Sequence, residues 1–401
     1  MPGRTTAALA RDFERFGREW PRNFAELVRA EYRVDLGARY LGEAIPHPIG
    51  KGSGQLSLNE GQLEEDARAG LAFVVLKTLI AEDATGARAM AAWAIHETRM
   101  AVERRPSADG RPGWTVTWKG RGWDRSLSDY LALVRAGRDL TRAGRLLVVP
   151  SVKYHLPRLD ESFHEAEYRH TTTALAGAWS EPPLLLEKDF SPTLAGDALA
   201  DDRAQILRWL EEVPRQIRAA SPMPLRIAVK LMNARFDDAF QVEMMRATRD
   251  ADTLVCFNRL FDTQRGVAYG GWDLSDRNLR VLDLYRPLPP SSDLYRPLPP
   301  PTSTDVSTLS GTGNITSGRM LLEYARRGCE SVQLHTFFQL PLSEYTATQG
   351  SRTARALHAL VFHPREGLIA GLLELEAGGE LERRGGELHF LDVTHRAHRH
   401  R

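Results

Sequence analysis

Ser310-Gly-Thr-Gly-Asn-Ile-Thr-Ser-Gly318, followed by an apolar helical run and then by Ser331-Val-Gln-Leu-His-Thr336, decides the fold class of this chain. Its glycines leave backbone N–H groups unobstructed, and the positive end of the following helix points at the same place. A second strand delivers Thr336 beside them, which makes the whole a phosphate cradle. A plain strand-to-helix turn explains the glycines but not the second turn at Thr336. Two consecutive βα turns of this kind, late in the chain, predict an α/β fold, a (β/α)8 TIM barrel with the cradle at the carboxyl ends of its last strands. An open doubly wound sheet is the second architecture they allow.

Working outward, short apolar runs at 72–76, 146–149, 183–186, 226–229, 253–256 and 331–334 read as buried strands. Amphipathic patterns such as 204–217 and 319–327 separate them, as in a parallel sheet covered by helices. Two segments interrupt the pattern. Residues 104–118 read as a turn and a strand inserted in a loop. Asp283-Leu-Tyr-Arg-Pro-Leu-Pro-Pro290 is repeated at 293–300, and its proline density places it in an exposed loop of polyproline geometry. At the amino end Phe13, Phe16, Trp20, Phe24, Leu27 and Val28 recur at spacings of three and four. This amphipathic helical region, broken at Pro21, is expected to pack across the barrel or at a subunit contact.

With 401 residues, 42% hydrophobic and 26% charged, the chain can bury a large core. Fifty-three Lys and Arg against 52 acids leave a net charge of +1, which argues against nucleic acid as the main partner. Cys256 and Cys329 both lie in apolar surroundings and read as small buried hydrophobes, a usage that fits a reducing cytoplasm. The sequence lacks the run of about 18 apolar residues that a transmembrane helix needs, so a cytoplasmic protein is expected. The basic, His-rich tail at 395–401 reads as solvated, and the six-residue separation of His164 and His170 does not put both on one helical face; no metal site is expected.

The strand ends carry polar residues of the kinds an active site uses. Lys77 and Thr78 follow the first strong strand, Lys188-Asp-Phe-Ser-Pro192 a later one, Lys230 and Asn258 the next two, and Gly270-Gly271 precedes the cradle. Each has a plainer reading: a solvated or salt-bridged lysine, an Asn capping a loop, a Ser-Pro turn at Ser191, a packed histidine at His335.

As an ordered set these residues resemble the dihydroorotate dehydrogenase family and its dihydropyrimidine dehydrogenase relatives, which are FMN-dependent barrels. The resemblance spans 52–336 and is most specific in the last third. In that family Ser-Gly-x-Gly-Gly-Ile-x-Ser-Gly, a helix, and Val-Gln-Leu-Tyr-Thr bind the FMN phosphate. Ser310 to Gly318 and Val332 to Thr336 match, with Asn314 at the second central Gly and His335 at the Tyr. The resemblance implies FMN as cofactor, held by Gly311, Gly313, Asn314, His335 and Thr336 together with Gly52, Ser53, Lys77, Lys230, Asn258, Gly270 and Gly271. It further implies a catalytic base at Ser191, assisted by Lys77 and Lys230, and a substrate side formed by Lys77, Arg125, Lys188, Thr193 and Asn258. The domain layout that follows is a helical extension at 1–45, an FMN-binding barrel at 46–375 and a C-terminal extension at 376–401.

The departures bear on the substrate. The asparagines flanking the family's base loop correspond to Lys188 and Thr193, and its Gly-Leu-Pro-Asn segment to Gly122-Trp-Asp-Arg125. A pyrimidine acid read by paired amides would lose much of that recognition, since each unmatched buried polar group costs roughly 1–3 kcal/mol. Asp276, in the altered glycine turn, would oppose a phosphate unless it is turned away. The expectation is an FMN oxidoreductase that interconverts a C–C single and double bond next to a carbonyl or amide in a small polar ring, with an open electron acceptor and a possible homodimer. Two competitors stand beside it. One is a flavin-free barrel lyase or isomerase of a phosphorylated substrate with a Schiff base on Lys77 or Lys230. The other is a non-catalytic scaffold.

Overall fold

The computed structural model describes residues 2–94, 96, 100–117, 122–190, 201–285 and 307–396. Ser191 and Thr193 lie outside the described residues, as does most of the duplicated Pro-rich segment, whose Asp283 to Tyr285 close the helix Trp272–Tyr285.

One parallel sheet of ten strands forms the centre. Its strands are β1 (Ile49–Lys51), β2 (Phe73–Val75), β3 (Leu79–Ile80), β4 (Leu147–Val149), β5 (Ser151–Lys153), β6 (Leu184–Asp189), β7 (Leu225–Lys230), β8 (Thr253–Cys256), β9 (Thr308–Thr312) and β10 (Cys329–Leu334). They pair in the order β3-β5-β6-β7-β8-β9-β10-β1-β2-β4. Both ends of that order run on into another member: β2 reaches β3 through Leu76 to Thr78, and β4 reaches β5 across Pro150. The result is a curled, TIM-like α/β sheet. Strands such as β2 (Phe-Val-Val) and β4 (Leu-Val-Val) read as unbroken apolar runs because both faces are covered, as a parallel sheet requires.

Helices follow the strands and cover the outer face, among them Glu60–Ala69, Leu127–Arg142, Glu165–Trp179, Arg203–Ala220, Asp238–Ala247, Gly318–Ala325 and Arg352–Phe362. Side-chain oxygens of Asn59, Ser126, Asp202, Asp237, Ser317 and Ser351 accept backbone N–H groups at six of these starts. Each such cap contributes about 1 kcal/mol and fixes where the strand-end loop stops.

The amino-terminal region forms two helices, Pro2–Phe16 and Phe24–Tyr32, separated around Pro21. They pack on the barrel helix Arg352–Phe362. Phe13 stacks on His358 with ring centres 4.3 Å apart, Phe16 meets Phe362 edge-on, and Trp20 Nε1 donates to the Ala69 carbonyl at 2.9 Å. A hairpin of Ala38–Tyr40 and Glu43–Ile45 carries Tyr40 onto the Phe73 ring, 4.2 Å away, and so closes the sheet interior at its amino-terminal end. No helix among the described residues is long and apolar enough to cross a membrane.

The insertion at 104–118 is larger than a single strand. Ala101–Arg104 and Trp114–Thr117 form an antiparallel hairpin, and Leu260–Asp262 with Val267–Tyr269 form a second. The two meet where Thr115 Oγ1 accepts the Gly270 N–H at 3.0 Å and Arg105 reaches Asp262 at 3.2 Å.

Gly318 marks a contact that sequence spacing alone assigned to the cradle. A Cβ there would overlap the backbone of Gly367 and Leu368, so this glycine lets the helix Gly318–Ala325 meet the helix Leu368–Ala377 backbone to backbone. Gly318→Ala is therefore expected to destabilise the fold by about 1–3 kcal/mol, measured as a lower urea midpoint with an unchanged slope. An unchanged midpoint would refute the packing assignment.

Candidate active site

The carboxyl ends of the strands open into a cavity of about 390 Å³. Ser53 enters it after β1, Lys77 and Thr78 after β2, Asp189 and Lys230 from the last positions of β6 and β7, and Asn258 with Arg259 after β8. Gly313 and Asn314 arrive after β9, His335 and Thr336 after β10, and Gly270 and Gly271 from the loop beyond the second hairpin. Trp114 and Thr117 of one hairpin and Phe261 and Ala268 of the other form its roof.

Asp189 is the only acid among the described lining residues, and it is surrounded by amines. Lys153, on the neighbouring strand, forms a short ion pair with Asp189 Oδ2, while Asn258 Nδ2 donates to Oδ1 at 2.8 Å. Burial alone would raise this carboxyl, but Lys153, Lys230 and Lys188 outweigh it and hold Asp189 down at about 2. It is an anion at any physiological pH and a poor proton acceptor.

Below it, Glu187 points into the same interior. Its carboxylate accepts from Tyr40 at 2.9 Å and from Gln333 Nε2 at 2.6 Å, and the Gln333 carbonyl oxygen accepts from Lys230 Nζ at 3.3 Å. This chain of hydrogen bonds fixes the direction of the Lys230 ammonium. Beside it Ser53, Thr78 and Ser151 link hydroxyls at 2.8 and 3.1 Å.

Lys77 is nearly fully buried. Desolvation, together with the charge of Lys153, lowers it to about 7, so it titrates close to neutral pH. Burial lowers Arg259 to about 10, and its guanidinium donates to the Val116 and Ala268 carbonyls, tying both hairpins to the strand end. Burial also holds His335 neutral, well below its usual value, with Arg259, Lys230 and Lys77 adding to the effect.

At the cradle, Gly313 has φ +115° and Asn314 φ +51°, so the turn needs the left-handed region at two successive residues, where Gly and Asn cost least. Asn278 Nδ2 donates to the Thr312 carbonyl at 2.8 Å, and Asn314 Nδ2 donates to Ser275 Oγ at 3.0 Å, holding the turn from the helix Trp272–Tyr285. Asp276 is turned toward Arg111, with which it forms an ion pair, and so leaves the turn.

Four expected site residues stand elsewhere. A Cβ on Gly311 would overlap the Tyr324 ring, so this glycine admits the following helix against β9. Gly52 lies just behind the lining, where a Cβ would come 3.3 Å from Lys230 Nζ. Arg125 is exposed, its guanidinium over the Trp123 ring and donating to the Leu58 carbonyl at 3.1 Å. Lys188 points to the helix side of β6, opposite Asp189, with its ammonium 4.3 Å from the Phe190 ring centre and donating to the Asp189 carbonyl at 3.1 Å. Strand alternation forces this, since Glu187 and Asp189 share the interior face. The inward group expected at Lys188 is thus Asp189. Thr78, noted after the first strand, lines the cavity, and Lys153, Gln333 and Arg259 also belong to the site although the sequence reading gave them no role; for Lys153 the available signal was Ser151-Val-Lys153 continuing the strand past Pro150.

Compared with protein-family models and with curated proteins, the sequence gives no match.

Burial, with Lys153 nearby, lowers Lys188 to about 7, whereas an unfolded lysine keeps its proton to about 10.5. Between these pH values the unfolded state binds more protons, so the native state gains stability as pH rises. Lys188→Met removes that dependence. Its stability relative to the parent should be most favourable at pH 7 and below and should decline toward pH 10, by at most about 1.4 kcal/mol per unit. Chemical denaturation across this range checks it, and a pH-independent difference would place the ammonium in water.

Proposed function

We propose that the chain is an FMN-dependent oxidoreductase of the dihydroorotate dehydrogenase type, built on a closed (β/α)8 barrel. The barrel reading is supported by the two interrupted strands: taking β2 with β3 and β4 with β5 as one strand each turns the ten-strand order into a ring of eight. The observation that carries the function is convergence. Ser53, Lys77, Lys230, Asn258, Gly313 and Thr336, drawn from six different strand ends, line one cavity whose charged groups are mostly cations.

The lining suits a phosphate-bearing, ring-shaped group. Backbone N–H groups of the Gly313-Asn314 turn and the Thr336 hydroxyl would hold the phosphate, with Asp276 withdrawn onto Arg111. Lys230, aimed by Gln333, would meet the negative charge of the ring, and Gly270 and Gly271 leave space for its edge. FMN would supply reversible two-electron redox chemistry there. The protein's own part is to bind and orient a small polar substrate between Asn258, Arg259 and Lys77, to exclude water under the two hairpins, and to move one proton. Ser191 is the residue the family pattern proposes for that proton. Asp189, held at about 2 and saturated by Lys153 and Asn258, acts instead as the fixed counter-ion that keeps the cationic wall in place.

A second reading has its own observation. An amine lowered to about 7 is also what a Schiff-base lyase needs, so Lys77 could serve as the nucleophile of a flavin-free enzyme acting on a phosphorylated carbonyl substrate. The two readings predict opposite pH limbs. As a cation that stabilises negative charge, Lys77 must keep its proton, and kcat/KM falls as pH rises through about 7; as a nucleophile it must lose it, and kcat/KM rises.

Purified protein should show flavin absorption bands and release FMN on denaturation, and Lys230→Met should lower FMN affinity at least about tenfold. A colourless protein that FMN cannot reconstitute, but that borohydride traps with a phosphorylated carbonyl compound, would replace the first reading by the second. In the FMN enzyme, Ser191→Ala should slow flavin reduction by substrate at least about a hundredfold with FMN still bound; unchanged single-turnover reduction would remove Ser191 from the base role.

A further inference from the structure

The loop that leaves β5 carries a second cluster, outside the cavity. His155, Glu161 and His164 each present one ligand-type atom, and these atoms lie within 4.8 Å of one another. Glu161 Oε1 is 3.1 Å from His155 Nε2 and 3.5 Å from His164 Nε2. A cation bound tetrahedrally with bonds of about 2.0–2.1 Å keeps its ligand atoms about 3.3 Å apart, so these separations bracket the edge of such a site.

The loop is held rigidly from outside. The Arg208 guanidinium donates to the carbonyls of Arg158 at 2.6 Å and of Leu159 and Glu161 at 3.1 Å. Trp209 Nε1 donates to the Pro157 carbonyl at 2.6 Å, and the Tyr168 hydroxyl to the His155 carbonyl at 2.8 Å. Glu161 Oε2 accepts the Arg158 N–H at 3.1 Å, which leaves Oε1 facing the imidazoles. His155 is 9% exposed, and its Nδ1 has no hydrogen-bond partner among the described atoms. A buried imidazole whose Nε2 faces a carboxylate, with a second imidazole beside it, supplies the donor types of a zinc-class ligand set.

We propose that His155, Glu161 and His164 bind one divalent transition-metal cation of the zinc class, through the two Nε2 atoms and Glu161 Oε1, with water completing the shell. Two imidazoles and one carboxylate favour zinc over magnesium or calcium, which take all-oxygen sets. The two rings now stack at 3.6 Å with an 11° tilt, so one must turn to bring both lone pairs to one point. His164, exposed at the start of the helix Glu165–Trp179, is free to do so. The bound ion would clamp the loop two residues beyond Lys153 and thereby the strand end that pairs with Asp189.

The test uses full-length protein in which the tail histidines, His395, His398 and His400, are replaced by Gln, freed of metal by chelator and titrated with Zn²⁺ by calorimetry. One equivalent should bind at micromolar Kd or tighter, raise Tm, and lose at least about tenfold in affinity on His164→Gln and on Glu161→Gln. Co²⁺ in place of Zn²⁺ should give visible d–d bands that His164→Gln removes. His164 is exposed, so its variant folds even where His155→Gln does not. Absence of stoichiometric binding, or binding unchanged in His164→Gln and Glu161→Gln, overturns the proposal.

Discussion

The ion pair of Asp189 with Lys153 sets the terms on which the carboxyl end of the sheet can exist. Lys230 and Lys188 also pull Asp189 down electrostatically, and Lys77 feels its charge in turn. Amines of like sign in a low-dielectric interior repel one another strongly, and Asp189 is the only acid among the described residues that line the cavity. Burial, with the like charge of Lys153 added, has Lys77 and Lys188 releasing protons near pH 7, and burial together with Arg259, Lys230 and Lys77 keeps His335 neutral. The anionic ligand proposed above would add negative charge to this largely cationic lining. The same logic fixes the role of Asp189, which is too well solvated by its partners to exchange a proton and stays as the negative pole of the site.

Two layers carry this charge cluster. Beneath it, the Tyr40–Glu187–Gln333–Lys230 chain joins polar groups across the interior; two hydrogen bonds to Glu187 Oε2 offset part of the cost of its burial, while Oε1 has no partner among the described atoms and burial raises the carboxyl's pKa. Above it, the two hairpins meet over the opening and are joined to the strand end by Arg259. A reactive group between these layers would meet little water, which strengthens every electrostatic contact it makes.

Much of this was legible in the sequence. Apolar runs located β2, β4, β7, β8 and β10 to within a few residues, and Lys77, Lys230, Asn258 and Gly313, all read from their places at strand ends, do line the cavity. The misses have physical causes. β1 and β9 contain Gly50 and Gly311, which look like turn residues but leave room for the rings of Phe73 and Tyr324. In β6 both faces are buried, so Leu184-Leu-Leu carries no inward-outward alternation and gave no means of telling Lys188 from Asp189. Pro150 read as the end of a strand, although β5 takes up the ladder one residue later, pairing with β6 on one side and β3 on the other. The His155–Glu161–His164 cluster lies in an irregular loop, where no helical or strand period could signal that its members meet.

Val34 and Asp35, just past the second amino-terminal helix, pair in parallel with Leu388 and His389 near the carboxyl end, and Arg29 and Arg33 close on Glu387 beside them. The segments that flank the barrel in sequence are thus fastened to each other as well as to its outer helices. Mechanically this is a clasp: a pull on either flank is shared with the other through a short ladder loaded in shear. Fraying that reaches the ladder from either flank breaks the pairing for both, so beyond that point the two flanks lose their order together.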